Sequence, residues 1–200
     1  MALTRLGLNQ SINLATNTTG NLNLASQVTG TLATGNGGTG ATSFTSGKVL
    51  QVLQNDQQSQ ISSSSNGYAI CTQAITPSAT SSKILIHAFC TGYTTSTSGC
   101  GVNVTSEISG GGQNSVLTFN SIGSRRGVFG GQAYMGNSND KTELMGGSFL
   151  HSPNTTSAVT YRLNTTIETG TFYINRTPTD SDNGHYVRSV TRMIVMEIGA

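Results

Sequence analysis

Residues 161–175 read YRLNTTIETGTFYIN. Within this run Tyr161, Leu163 and Ile167 fall on one side of a two-residue repeat, and Arg162, Asn164 and Glu168 fall on the other. Two is the strand period, because successive side chains of an extended chain point to opposite faces. Thr169-Gly170 then supplies a turn, since glycine tolerates positive φ. Phe172-Tyr173-Ile174-Asn175 resumes the pattern. The run therefore predicts a strand, a tight turn and another strand.

The same grammar extends in both directions. YAICTQAI (68–75) is a strand ended by Thr76-Pro77-Ser78. KILIHAFC (83–90) is apolar on both faces apart from His87, which predicts a central strand. The segment from Ser189 to Ile198 sets Val190, Ile194, Met196 and Ile198 on one face and also predicts a central strand. Further strands are expected at 101–107, 115–121, 127–135 and 142–150, with a short one at 48–54 and a polar loop over 55–67. About eight to ten short strands separated by turn signals predict an antiparallel, jelly-roll-like β-sandwich over residues 67–200. Roughly 130 residues suffice to bury a core.

Composition narrows the function. Of the 200 residues only 9% are charged, against about 25% in an ordinary globular protein. Gly, Ser, Thr and Asn fill nearly half the chain, and the net charge is +2. No basic face speaks for a nucleic-acid partner, and no apolar run approaches the ~20 residues of a membrane span. The first twenty residues lack the apolar core of a secretory signal. Synthesis in a cytoplasm with release by lysis fits these features.

Residues 1–46 hold one charge, Arg5, and one aromatic ring, Phe44. They carry a repeat of period ten, marked by Thr19-Gly20, Thr29-Gly30 and Thr39-Gly40. Ile12-Asn13-Leu14-Ala15 is echoed by Leu22-Asn23-Leu24-Ala25 and more loosely by Leu32-Ala33-Thr34. Each unit alternates apolar and polar residues, as short strands joined by turns would. Such a segment does not fold alone. Ordering each residue costs about 1–2 kcal/mol of backbone entropy, and a few apolar side chains at about 1.5–3 kcal/mol each do not offset it. The segment is either a linker or an arm whose apolar side meets other chains. A linker needs no register, which favours the arm. Three intertwined chains, each giving Ile12, Leu14, Leu22, Leu24, Val28 and Leu32 to a shared axis, would satisfy the pattern. The expected organisation is thus an assembly arm (1–46), a strand with a polar linker (47–66) and a β-sandwich head (67–200).

Reactive constellations are scarce. TGNGGTGA (34–41) is glycine-rich but lacks the Lys-Ser/Thr and the following helix of a phosphate loop. His87 reads as a hydrogen-bonded core or interface histidine, while His151 and His185 lie in separate turn-rich loops without a second ligand at metal spacing. Asp180-Ser-Asp-Asn-Gly184 has the residue types of a calcium loop but not its distal Glu, and turns favour the same residues. Glu107, Glu143, Glu168 and Glu197 alternate with apolar residues on expected strands and read as solvent-facing. Arg125-Arg126 reads as a hairpin tip. The sequons at Asn17, Asn103, Asn154, Asn164 and Asn175 match chance in a chain this rich in Asn and Thr. Cys71, Cys90 and Cys100 leave at least one thiol unpaired, with Cys90–Cys100 the pairing to consider. No catalytic residue, metal or cofactor is expected.

Val28-Thr-Gly-Thr-Leu-Ala-Thr-Gly-Asn-Gly-Gly-Thr-Gly-Ala-Thr-Ser43 resembles the "TGTLP-x-x-NGGTGAT" element of tail fibres and other virion proteins of tailed phages, with Ala33 in place of the usual proline. Ile75-Thr-Pro-Ser-Ala-Thr-Ser-Ser-Lys-Ile-Leu-Ile86, Phe149-Leu-His-Ser-Pro-Asn-Thr-Thr-Ser-Ala-Val-Thr-Tyr161 and Met196-Glu-Ile198 resemble a β-sandwich knob of structural proteins from phages of cyanobacteria and marine bacteria. The resemblance spans most of the chain. It implies a homotrimer with an intertwined N-terminal shaft and a C-terminal jelly-roll head, located in the virion, and it implies no catalytic residues. Two virion roles follow from it. One is a short tail fibre whose head touches a host glycan or protein; the other is a capsid decoration protein gripping the major capsid protein through residues 1–46. A secreted C1q/TNF-like or lectin-like module and a glycan depolymerase are the competing classes. The first would call for a signal peptide or paired cysteines, and the second for a carboxylate pair in a groove.

Overall fold

The computed structural model describes residues 48–95, 99–115, 123, 127–132 and 141–199. All lie in the second of the chain's two units, Ser46–Ala200. The arm candidates Ile12, Leu14, Leu22, Leu24, Val28 and Leu32, and the Arg125-Arg126 pair, fall outside the described residues.

The unit is all-β, with two antiparallel sheets and no helix among the described residues. The first sheet holds β1 (Val49–Gln57), β2 (Ile61–Ser63), β4 (Lys83–Thr94), β8 (Glu143–His151), β10 (Phe172–Ile174) and β11 (Thr191–Ile198). The second holds β3 (Ala69–Ile75), β5 (Cys100–Ile108), β6 (Gln113–Ser115), β7 (Gly130–Gln132) and β9 (Val159–Ile167). The turn at Thr169-Gly170, where Gly170 has φ 82, carries the chain from β9 in one sheet to β10 in the other. Of the strand expected at 115–121 only Ser115, the last residue of β6, is described, and of that expected at 127–135 residues 127–132 are described, with β7 at Gly130–Gln132.

β4 and β11 are central, as their apolar composition predicts. β11 lies between β1 and β4. β4 pairs with β11 and β10 along one edge and with β8 along the other. The core forms between the sheets. Ile84, Ile86, Ala88 and Cys90 of β4 and Met193 and Val195 of β11 meet Val102, Val104, Val159, Tyr161 and Leu163 of the second sheet. Each large apolar side chain so buried contributes about 1.5–3 kcal/mol.

Three expectations are corrected and one open pairing is resolved. The polar stretch 55–67 is not a loop throughout: β1 runs to Gln57, and β2 places Ile61 in the core. β4 is not enclosed on both faces, because Leu85, His87 and Phe89 are only half-buried. On β11 the residues Ile194, Met196 and Ile198 do share a face, but the core takes the opposite one, with Thr191, Met193, Val195 and Glu197. Cys90 and Cys100 are not paired. They sit on strands of different sheets, and all three cysteines are free and buried.

A close approach between the layers depends on glycine. Gly146 on β8 has φ 136, and a Cβ there would meet the Ala88 carbonyl oxygen. A Cβ on Gly130 of β7 would in turn meet the Gly146 backbone. This pair of bare backbones lets an edge strand of each sheet close against the other.

Candidate functional site

The outward face of the second sheet is built from hydroxyls and amides. Thr160, Arg162, Asn164 and Thr166 of β9 alternate with the core residues Tyr161, Leu163 and Thr165. They lie beside Glu107, Thr105, Asn103 and Gly101 of β5 in antiparallel register. Thr72 and Ala74 of β3 continue the face across Arg162 and Thr160. Arg162 donates to Glu107 at 2.6 Å, and Asn164 Nδ2 donates to Thr105 Oγ1 at 2.8 Å. Asn103 Oδ1 is buried without a hydrogen-bond partner among the described residues. The Arg162–Glu107 pair is part-buried, its side chains 22% and 32% exposed. Of the residues on this face Thr160, Arg162, Thr105 and Glu107 are partly exposed and can meet a polar surface, whereas Asn164 and Thr166 are buried.

The histidines and acids flagged in the sequence are mostly used inside the fold. His87 Nδ1 and Ser148 Oγ are hydrogen-bonded at 2.6 Å across β4 and β8. His151 is bonded to the Tyr161 hydroxyl at 2.8 Å, and burial lowers its pKa. Asp180, the first residue of the calcium-like loop, instead accepts from Arg188 at 3.2 Å and lies 3.9 Å from Arg176. The Arg176 guanidinium stands over the Tyr173 ring, 5.1 Å from its centroid. Among the described residues no group of three or more His, Cys, Asp or Glu is placed to hold a metal ion. Burial pushes the Cys90 thiol up to about 12 and Cys100 up to about 11, so neither supplies a thiolate at neutral pH.

Two polar residues that hold the head together escape the sequence reading. Glu197 is not solvent-facing; it is 1% exposed. Its Oε1 accepts from Ser78 N at 2.7 Å and Ser78 Oγ at 2.6 Å, and its Oε2 accepts from Gln51 Nε2 at 2.7 Å. Burial raises its pKa, but these hydrogen bonds and the nearby Ser82 hydroxyl outweigh that and hold it at about 2. Asn175 is fully buried with φ 62. It donates to the Gln57 and Ser59 carbonyls at 2.8 and 3.1 Å and accepts from Thr191 Oγ1 at 2.8 Å. With Asn164 also buried, two of the sequon asparagines lie inside the head.

No family model and no curated protein matches the chain. Among solved structures it is similar to infectious bursal disease virus, Gt strain, with a TM-score of 0.37 and 12% identity over 74% of this chain and 40% of that one. It is also similar to the VP2 subviral particle of that virus, with a TM-score of 0.33 and 13% identity over 74% of this chain and 39% of that one. The T13 particle of the virus gives 0.35 and 12% over 74% and 37%. The chain thus spans about two-fifths of the length of these chains, and at such scores the likeness assigns neither family nor function.

Proposed function

We propose that this chain is a non-enzymatic structural part of a tailed-phage virion, displayed as a homotrimer. In this reading it is a short tail fibre, anchored to other virion proteins by residues 1–46 and presenting the sandwich head to a host glycan or protein. The observation that carries the reading is the join of two parts. One is a nearly uncharged, period-ten segment containing the NGGTGAT element. The other is an all-β head whose second sheet carries, on the side away from the core, partly exposed Thr160, Thr105 and the Arg162–Glu107 pair beside buried Asn164 and Thr166. Such a face suits recognition by many hydrogen bonds rather than reaction. The same parts also suit a capsid decoration protein, in which the arm grips the shell instead of the tail.

Deleting residues 1–46 tests the arm. The head is expected to fold, with unchanged β-type circular dichroism, while incorporation into particles falls to background. Normal incorporation would make the arm a mere linker. Within the arm, Leu22→Asp or Leu24→Asp is expected to weaken assembly far more than Asn23→Asp, because only the leucines lie on the apolar side of the repeat. Equal losses would refute the alternating register.

A further inference from the structure

The outward face of the first sheet is apolar, unlike that of the second. Antiparallel pairing puts Leu150, Leu85, Met196 and Val52 in one row across β8, β4, β11 and β1. Leu150 and Val52 are 46% and 54% exposed. Ile194 and Ile198 flank Met196 on the same face of β11. The next row contains the hydrogen-bonded pair of Ser148 and His87, and the row beyond closes with Arg192 and Asp56, ion-paired at 2.8 Å. Lys83 stands at the opposite margin, paired with Ile198. Apart from these margins the face carries no charge that would repel a copy of itself.

We propose that this face is where copies of the chain meet, set face-inward around a common axis. The proposal rests on the homotrimer reading above and names its surface. Four strands about 4.8 Å apart and five residues deep give a flat footprint of roughly 300–350 Å². That is comparable to the largest apolar patch of a typical monomer, yet well short of the ~800 Å² per partner of a stable pairwise interface. A face of this size holds copies together only with a second tie. The chain supplies one: 47 residues precede Lys48, and they lead directly into β1, the marginal strand of this face. Arms shared between copies would deliver the heads with their β1 strands, and so this face, toward one another. A charged surface would oppose that approach, whereas the Leu150–Val52 row gains by leaving water.

The chain has no tryptophan, so a single introduced one reports its own environment. Leu150→Trp in the full-length chain places it on the face, and Val187→Trp, at a position 56% exposed and off the face, is the control. Light scattering is expected to give a trimer for both. Acrylamide is expected to quench the Leu150→Trp chain about fivefold less than the Val187→Trp chain, because an interface core excludes solvent. Adding Val52→Glu to the Leu150→Trp chain should restore quenching to the control level. A trimer whose two tryptophan variants are quenched alike would overturn this surface and leave the homotrimer standing. A monomer would overturn both, whether or not the tryptophan is shielded.

Discussion

Glu197→Gln is expected to lower the stability of the head by about 3–4 kcal/mol at neutral pH, since each hydrogen bond to a buried charge contributes about 1.5–3 kcal/mol. The carboxylate joins three elements: β11 on which it sits, Gln51 on β1, and Ser78 between β3 and β4. All three bonds are donated to it. A glutamine amide presents N–H where an acceptor is needed, and one buried donor is left facing another. For a domain of this size the loss corresponds to a fall in Tm of roughly 10 °C. The pH dependence follows from the direction of the shift. The folded pKa of about 2 lies below the ordinary 4.5, so the stabilisation is fully present above about 4.5 and is lost as pH falls toward 2. The difference in urea midpoint between the native chain and Glu197→Gln should therefore be largest at pH 7 and shrink at pH 3. An equal difference at both values would mean the carboxylate is not held in its charged form.

The second large effect is expected at Asn175. Asn175→Ala removes three side-chain hydrogen bonds and leaves the Gln57 and Ser59 carbonyls and the Thr191 hydroxyl without that partner. It also forces a Cβ-bearing residue without a polar side chain into the left-handed region at φ 62. The combined cost is expected to be about 4 kcal/mol, with each unsatisfied buried group costing about 1–3 kcal/mol. Asn175→Gly relieves the backbone strain but not the lost bonds, so it should fall between Ala and the native chain in a denaturant titration. Equal stability of the Ala and Gly variants would remove the backbone contribution. Losses below about 1 kcal/mol in both would show that the hydrogen bonds are replaced by water.

The strand at 161–167 was legible because burial imposes a period of two, and those at 68–75 and 83–90 because short apolar runs are bounded by turn signals. The orientation of β11 was not. Ile194, Met196 and Ile198 outweigh Met193 and Val195 in apolar bulk, yet the core takes the Thr191, Met193, Val195 and Glu197 face. Apolar side chains on the other face are what a surface covered by another chain would carry, and a pattern of spacing does not tell that face from a core. Glu197 follows from the same inversion: alternation placed it outside, whereas its acceptors are satisfied by Ser78 and Gln51, far away in sequence. Asn175 gave no signal beyond ending the run Phe172-Tyr173-Ile174, since its partners come from the end of β1, the β1–β2 connection and β11. β2 was missed because Ile61 is the one large apolar residue in a serine-rich stretch. The polar face of the second sheet was readable in part. Arg162, Asn164 and Glu168 were correctly set opposite Tyr161, Leu163 and Ile167, but the pairing of Arg162 with Glu107 depends on which strands become neighbours.

A displayed part of a virion must be reachable on the surface of intact particles. Gold-labelled antibody raised against residues 48–200 and applied to intact, purified particles from cells producing the protein tests this most directly. The expected result is label on the particles, concentrated at the tail, with label over the heads assigning the decoration role instead. Bare particles, with the protein recovered only in the soluble fraction of the lysate, would contradict the account.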